Sequence, residues 1–289
     1  VFAALIIASL GQALGQDREP TETRVTHGPM LGRQSHDSMS LWMRTHRPGK
    51  VVVFYGTDKT ELDQSATLQT TSIEDDNTGI LKLDKLQANT RYYYRVEDHQ
   101  LSGSFRTLPH ADDFRNATGN PEGLFNFKFE FACGNNQRGG GDSAGPSLPV
   151  FDTLNRQVRD EIHFAILNGD WLYEDQRAYP ASEWLHQVGI DSLDQAPDIV
   201  QKAPTVAGVW ENYKIYLERG RNLSEWHRHV PSFYTADDHE LLNAIYGTGE
   251  VGYVNRRAVF RDIATRAWFD YLAWANPTEH TAPAWFGTG

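Results

Sequence analysis

The chain has 289 residues, enough for two domains of ordinary size that each bury a core. Its apolar fraction of 39% and charged fraction of 22% are those of a globular protein, not of a disordered or fibrous one. A formal net charge of −11 disfavours attraction to phosphate backbones and excludes a nucleic-acid scaffold role, although a bound cation can reverse the local field and admit a phosphorylated substrate.

Residues 1–16 form an apolar run with small residues near its end, followed by the polar Asp17-Arg18-Glu19-Pro20. This is the pattern of the hydrophobic and cleavage parts of a secretory leader, so 1–20 read as a signal-peptide remnant and the protein as secreted or periplasmic. The run is too short and too interrupted for a comfortable span, so no stable membrane span is expected after processing. No initiating Met or basic leader precedes it, and the last residues show no helix stop; the sequence is expected to be a fragment at both ends.

Residues 24–109 carry short β-branched or aromatic runs between turn clusters, among them Met39-Ser40-Leu41-Trp42-Met43-Arg44, Val51-Val52-Val53-Phe54-Tyr55-Gly56 and Tyr92-Tyr93-Tyr94-Arg95-Val96. That spacing predicts an all-β sandwich. Its closing part, residues 83–107, resembles the end of a fibronectin type III or immunoglobulin-like module, commonly an accessory to catalysis. A polar stretch rich in Asp, Asn, Gly and Pro, 110–123, reads as a linker.

From 124 to 289 strands alternate with helices: strands over 125–132, 163–167 and 232–236, helices over 150–161, 209–218 and 256–275. The order implies an α/β layer with largely parallel strands, whose functional edge lies at the strands' carboxyl ends. Three such ends carry chemistry-bearing residues. The first holds Cys133, the only cysteine of the chain and therefore without a partner for an internal disulfide. The second reads Gly169-Asp170-Trp171-Leu172-Tyr173, in which one turn can aim a carboxylate and a phenol into the same space. The third is Asp237-Asp238-His239-Glu240.

Carboxylate and phenolate are hard oxygen donors suited to a hard cation, and a cation also stabilises a thiolate. One carboxylate of the acidic quartet could ligate a second cation, while His239 could donate a proton to a leaving group or bind the transferred group. Each residue alone has a plainer reading: a buried Cys133, a loop-capping Asp170, a packed Tyr173, a quartet that caps the next helix. Together the three strand ends read as one metal site.

In this order, behind a fibronectin-like module, these elements resemble the alkaline phosphatase D (PhoD-like) branch of the metallophosphoesterases, over nearly everything from Arg24 to about Tyr246. The resemblance implies a β-sandwich followed by an α/β domain of αββα type, incomplete at its C-terminus because later Asp and His ligands would fall beyond Gly289. It makes Cys133, Asp170 and Tyr173 ligands of Fe3+, with Asp170 bridging to Ca2+; other divalent metals remain compatible. Asp237, or failing that Asp238, takes the second-metal position, and His239 lies beside the phosphate. Asn135 and Asn136 are candidates for holding a phosphate oxygen, although after Cys133 the chain departs from the family in reading Gly134-Asn135-Asn136-Gln137 with a glycine-rich insertion. The implied activity is hydrolysis of small phosphomonoesters and phosphodiesters by metal-activated hydroxide, without a covalent phosphoenzyme. Oligomeric state is not legible.

Two rivals stand beside this reading. Gly141-Asp142-Ser143-Ala144-Gly145 satisfies Gly-x-Ser-x-Gly, but a nucleophile elbow needs a buried strand running into the first Gly and a helix right after the Ser, and here Gln137-Arg138-Gly139-Gly140 precedes and Pro146 and Pro149 delay the helix. The other rival is an inactive exported binding or adhesion protein, for which Trp184, Trp210 and Trp226 would line a ligand surface; tryptophans so spaced are more commonly core. His227 and His229, flanking Arg228, read as a solvated segment.

Overall fold

Period-two alternation along Met39–Thr45 sends its side chains into two different cores. Leu41 and Met43 enter the interior of a β-sandwich, while Trp42 between them enters the core of a helical layer on the sheet's other side. All seven residues of this strand are buried for that reason.

The computed structural model describes residues 23–97, 101–137, 145–173, 178–241 and 254–277, with backbone alone at 111 and 254–260. The first strands are β1 (Val25–Gly32), β2 (Met39–Thr45), β3 (Val51–Gly56), β4 (Gln64–Leu68), β5 (Thr78–Leu83), β6 (Arg91–Val96) and β7 (Ser102–Arg106). They form two antiparallel sheets, β1-β2-β5 and β4-β3-β6-β7. In β3 and β6 alternate residues, Val51, Val53 and Tyr55 against Tyr92, Tyr94 and Val96, face inward, as expected where one face of a sheet is packed.

The expected 110–123 linker holds a 3-10 turn, Ala111–Asp113, and a bridge between Asn116 and Asn120. Then come β8 (Phe129–Ala132), α1 (Pro149–Gln157), β9 (Phe164–Asn168), α2 (Ala181–Val188), α3 (Asp198–Lys202), α4 (Val206–Arg219), α5 (Arg221–His227), β10 (Ser232–Thr235), α6 (Asp238–Leu241) and α7 (Val254–Tyr271). The expected strand over 125–132 is shorter than its alternating phenylalanines suggest, because pairing with β9 starts only at Phe129 opposite Phe164. The last predicted helix divides into α7 and a 3-10 turn, Ala273–Ala275. Proline at the first position of α1 fits a helix start, where its missing N–H costs nothing.

Helix α4 is buried nearly all round, with Val206, Val209, Trp210, Tyr213, Tyr216 and Leu217 in the core. Trp184, Trp210 and Trp226 are also fully buried; they are core, not a ligand surface. A carboxylate ties this layer to the sandwich. Asp76, in the turn before β5, is fully buried and accepts hydrogen bonds from Arg44 Nε and Nη2 at 3.0 and 2.9 Å, Trp184 Nε1 at 2.7 Å and Tyr271 Oη at 2.5 Å.

Strands β8, β9 and β10 make a parallel sheet with β9 in the middle. Its register places Ala132 beside Leu167 and Thr235 beside Asn168, so the three strands end at one edge within a residue of one another. One face carries an aromatic ladder: Phe127, Phe129 and Phe131 are about half exposed, and Phe129 stacks on Phe164, which in turn meets Phe233.

Candidate metal centre

The shared edge brings the three sequence elements together. Backbone N–H groups of Gly134 and Asn135, just past β8, donate to the carbonyls of Gly169 (3.3 Å) and Asp170 (2.8 Å), just past β9. On the other side Gly169 abuts Asp237, just past β10: a Cβ on Gly169 would lie 2.5 Å from Asp237 Cβ. Gly169 has φ +75° and Asp170 has φ +52°, so the chain turns sharply through two left-handed residues as it leaves the sheet.

Ligand atoms of Asp170, Asp238 and His239 all lie within 4.8 Å of one another. Tyr173 completes one side: its hydroxyl is 3.4 Å from Asp170 Oδ2, and its ring packs on that of His239 with centroids 4.0 Å apart. Asn212 of α4 holds the Tyr173 carbonyl at 2.6 Å. Cys133 is exposed at the rim, Asn135 is buried and Asn136 half-buried. Asp237 Oδ1 accepts the N–H of Asp238 at 2.8 Å, and of the two neighbouring aspartates it is Asp238 that joins the three-residue cluster. Ser143 lies outside the described residues.

Acidic groups outnumber cations here, and the titration of the site reflects it. Burial pushes the Asp170 carboxyl up, His239 opposes this, and Asp237 and Asp238 add to it. Burial and the Asp170 charge push Tyr173 up to about 12, and the Cys133 thiol rises through partial burial and the charges of Asp170, Asp237 and Glu240. Asp170 Oδ1 is buried with no hydrogen-bond partner among the described residues. An unpartnered carboxylate oxygen on Asp170, with Asp170, Tyr173 and Cys133 each disfavoured in its charged form, is a donor set that a bound cation would satisfy. The residues therefore fit a metal.

Glu240 was legible as a member of the quartet but not as a partner of its neighbours. It is fully buried and accepts backbone N–H bonds from Asp170, Trp171 and Asp237, while burial pushes its carboxyl up to about 7. The bond from Asp237 to a Glu three residues on is a helix-start pattern that the sequence displays. His227, read as solvated, is instead fully buried: Trp171 Nε1 donates to its Nε2 at 3.3 Å, and its Nδ1 meets Tyr234 Oη at 3.2 Å. His229 bonds Glu225 and Ser104, joining α5 to the sandwich.

A layered α/β unit with an acidic cluster on the carboxyl edge of a parallel sheet, behind a β-sandwich, defines a recognisable class. Residues 129–284 match the family model of the PhoD-like phosphatases, and residues 11–109 match the PhoD-like phosphatase N-terminal domain. The chain belongs to the PhoD-like phosphatase family. A solved structure of PhoD has 18% sequence identity and a TM-score of 0.60, the match covering 84% of this chain and 45% of that one. The purple acid phosphatase PPD1 from yellow lupin (Lupinus luteus) seeds has 11% identity and a TM-score of 0.46, with 83% and 40% covered. The chain thus spans less than half the length of the PhoD chain it resembles in fold. No curated protein matches the chain in sequence.

Proposed function

We propose that this chain carries part of the active site of a metal-dependent phosphoric ester hydrolase acting on small phosphomonoesters and phosphodiesters. The observation that carries the reading is the convergence of Asp170, Asp238 and His239 within 4.8 Å, with Asp170 Oδ1 buried and unpartnered among the described residues. Asp170 and Asp238 would hold a cation beside His239, and the family resemblance adds Tyr173 and Cys133 as phenolate and thiolate donors. Cys133, Asp170 and Tyr173 would hold Fe3+, and Asp170 with Asp237 or Asp238 would hold Ca2+, an assignment that rests on the family resemblance; the carboxylate and phenolate donors suit hard cations. Bound cations would lower the pKa of water and offset charge on the phosphoryl oxygens.

The protein's own groups orient the ester. His239, whose ring packs on that of Tyr173, would donate a hydrogen bond to a phosphoryl or leaving-group oxygen. The backbone bond from Asn135 N–H to the Asp170 carbonyl ties the loop after β8 to the loop after β9, and Asn135 or Asn136 would bind a phosphate oxygen. The leader-like residues 1–20 lie outside the described residues and support a secreted or periplasmic setting; no helix among the described residues is long and apolar enough to cross a membrane.

The test is turnover of p-nitrophenyl phosphate and bis-p-nitrophenyl phosphate by the full-length protein before chelation, after it, and after metal is restored. Turnover lost to chelator and recovered with metal supports the reading. Turnover indifferent to chelator but lost in Ser143→Ala overturns it in favour of a serine hydrolase.

A further inference from the structure

We propose that Glu240 is a positioning residue, whose carboxylate ties the loop after β9 to the loop after β10 and so sets the spacing of Asp170 against Asp238 and His239. The proposal rests on the metal-site reading above. One oxygen, Oε2, accepts the N–H of Asp170 at 3.0 Å and of Asp237 at 2.8 Å; the other, Oε1, accepts that of Trp171 at 2.5 Å. The donors come from two segments that are distant in sequence and that also touch directly where Gly169 abuts Asp237.

Both loops need such a tie. Asp170 stands in the left-handed region at φ +52°, which aspartate adopts more readily than most residues with a Cβ but which neighbouring hydrogen bonds still help to hold. Its N–H is held by Glu240 and its carbonyl by Asn135, so its backbone is fixed on both sides and its carboxylate direction follows. Across the gap, the Asp237 N–H reaches the same Glu240 oxygen, one residue before Asp238. Glutamine keeps the length but has a single acceptor oxygen and would set an NH2 group against one of the N–H donors. Aspartate is one methylene too short to reach all three.

The experiment is amide hydrogen exchange on the full-length protein without added metal, wild type beside Glu240→Gln, together with Mn2+ affinity measured by electron paramagnetic resonance. In the wild type the Asp170, Trp171 and Asp237 amides should exchange at least ~10-fold more slowly than the amides of the exposed Ala117 and Thr118. In Glu240→Gln that protection should drop while β3 and β6 stay protected, and Mn2+ affinity should fall by about 10- to 100-fold, as for other supports behind a metal ligand. Wild-type amides that exchange at loop rates overturn the proposal without recourse to any variant. Lost protection with wild-type Mn2+ affinity overturns it too, because Glu240 would then be a folding element only. A wild type that binds no Mn2+, with protection still lost in the variant, supports the tie between the loops and instead overturns the metal-site reading.

Discussion

Gly169 and Asp237 touch so closely that only a hydrogen fits between them. A Cβ at Gly169 would lie 2.5 Å from Asp237 Cβ and 2.9 Å from its backbone nitrogen. The contact is what lets the loops after β9 and β10 share one cluster. Gly169→Ala should therefore fail twice, through the left-handed φ of +75° and through collision with a backbone, costing about 1–2 kcal/mol for the first and about 1–3 kcal/mol for the second. Gly189, at φ +73° after α2, has open space within 4 Å of the point where a Cβ would stand, so Gly189→Ala should cost only the first amount. Urea denaturation of the two variants measures the difference; equal losses would show that the Gly169 contact is slack.

Asp76 is the joint between sandwich and helical layer. Burial alone would raise its pKa, but Arg44 and Lys214, with hydrogen bonds from Arg44 and Tyr271, hold it well below the carboxylate range. Asp76→Asn leaves Arg44 buried beside a neutral partner and should destabilise by about 3–5 kcal/mol, the usual cost of breaking a buried pair from one side. The denaturation midpoint should fall for both β-sheet and tryptophan signals together, since Trp184 and Tyr271 share the carboxylate. A loss under ~1 kcal/mol would contradict this role for the pair.

His227 sets a separate pH window. Burial holds its pKa down to about 3, and the tautomer follows from its partners: Trp171 Nε1 only donates, so Nε2 accepts and Nδ1 carries the proton. In the unfolded chain the ring titrates near its ordinary value of 6.5. Between that value and about 3 the unfolded state binds one proton that the folded state does not, so stability from this group falls as pH falls, by about 1.4 kcal/mol per unit. Asp76 adds nothing to the slope in the upper part of this window, because its folded pKa is depressed: its contribution is present above the unfolded carboxylate pKa and lost only in stronger acid. His227→Gln removes the titrating ring, so its stability should drop less steeply than the wild type's between about pH 6 and 4.5. Parallel slopes would mean that the ring protonates inside the fold.

What the sequence revealed and what it hid divide along physical lines. Alternation in β3 and β6 exposed the sandwich because one face of each strand is packed, and strand-end placement exposed Asp170, Tyr173 and the acidic quartet because parallel strands deliver their ends to one edge. Glu240 stayed hidden as a tie because its partners are backbone N–H groups, which every sequence has. The burial of His227 depended on Trp171, far away in the chain, and on Tyr234 in the next strand, and nothing in its own segment distinguishes it from the half-buried His229. Strand β8 is shorter than its phenylalanine pattern because ladder pairing, which periodicity does not encode, sets the boundary.

If Asp170 anchors a metal, phosphate-ester turnover depends on that residue. The direct measurement is metal content of the purified full-length protein, wild type beside Asp170→Asn, with p-nitrophenyl phosphate turnover recorded on the same samples. Stoichiometric metal and turnover are expected in the wild type, and loss of both in a variant that still melts cooperatively. Equal metal content and equal turnover in the two proteins would contradict this role of Asp170.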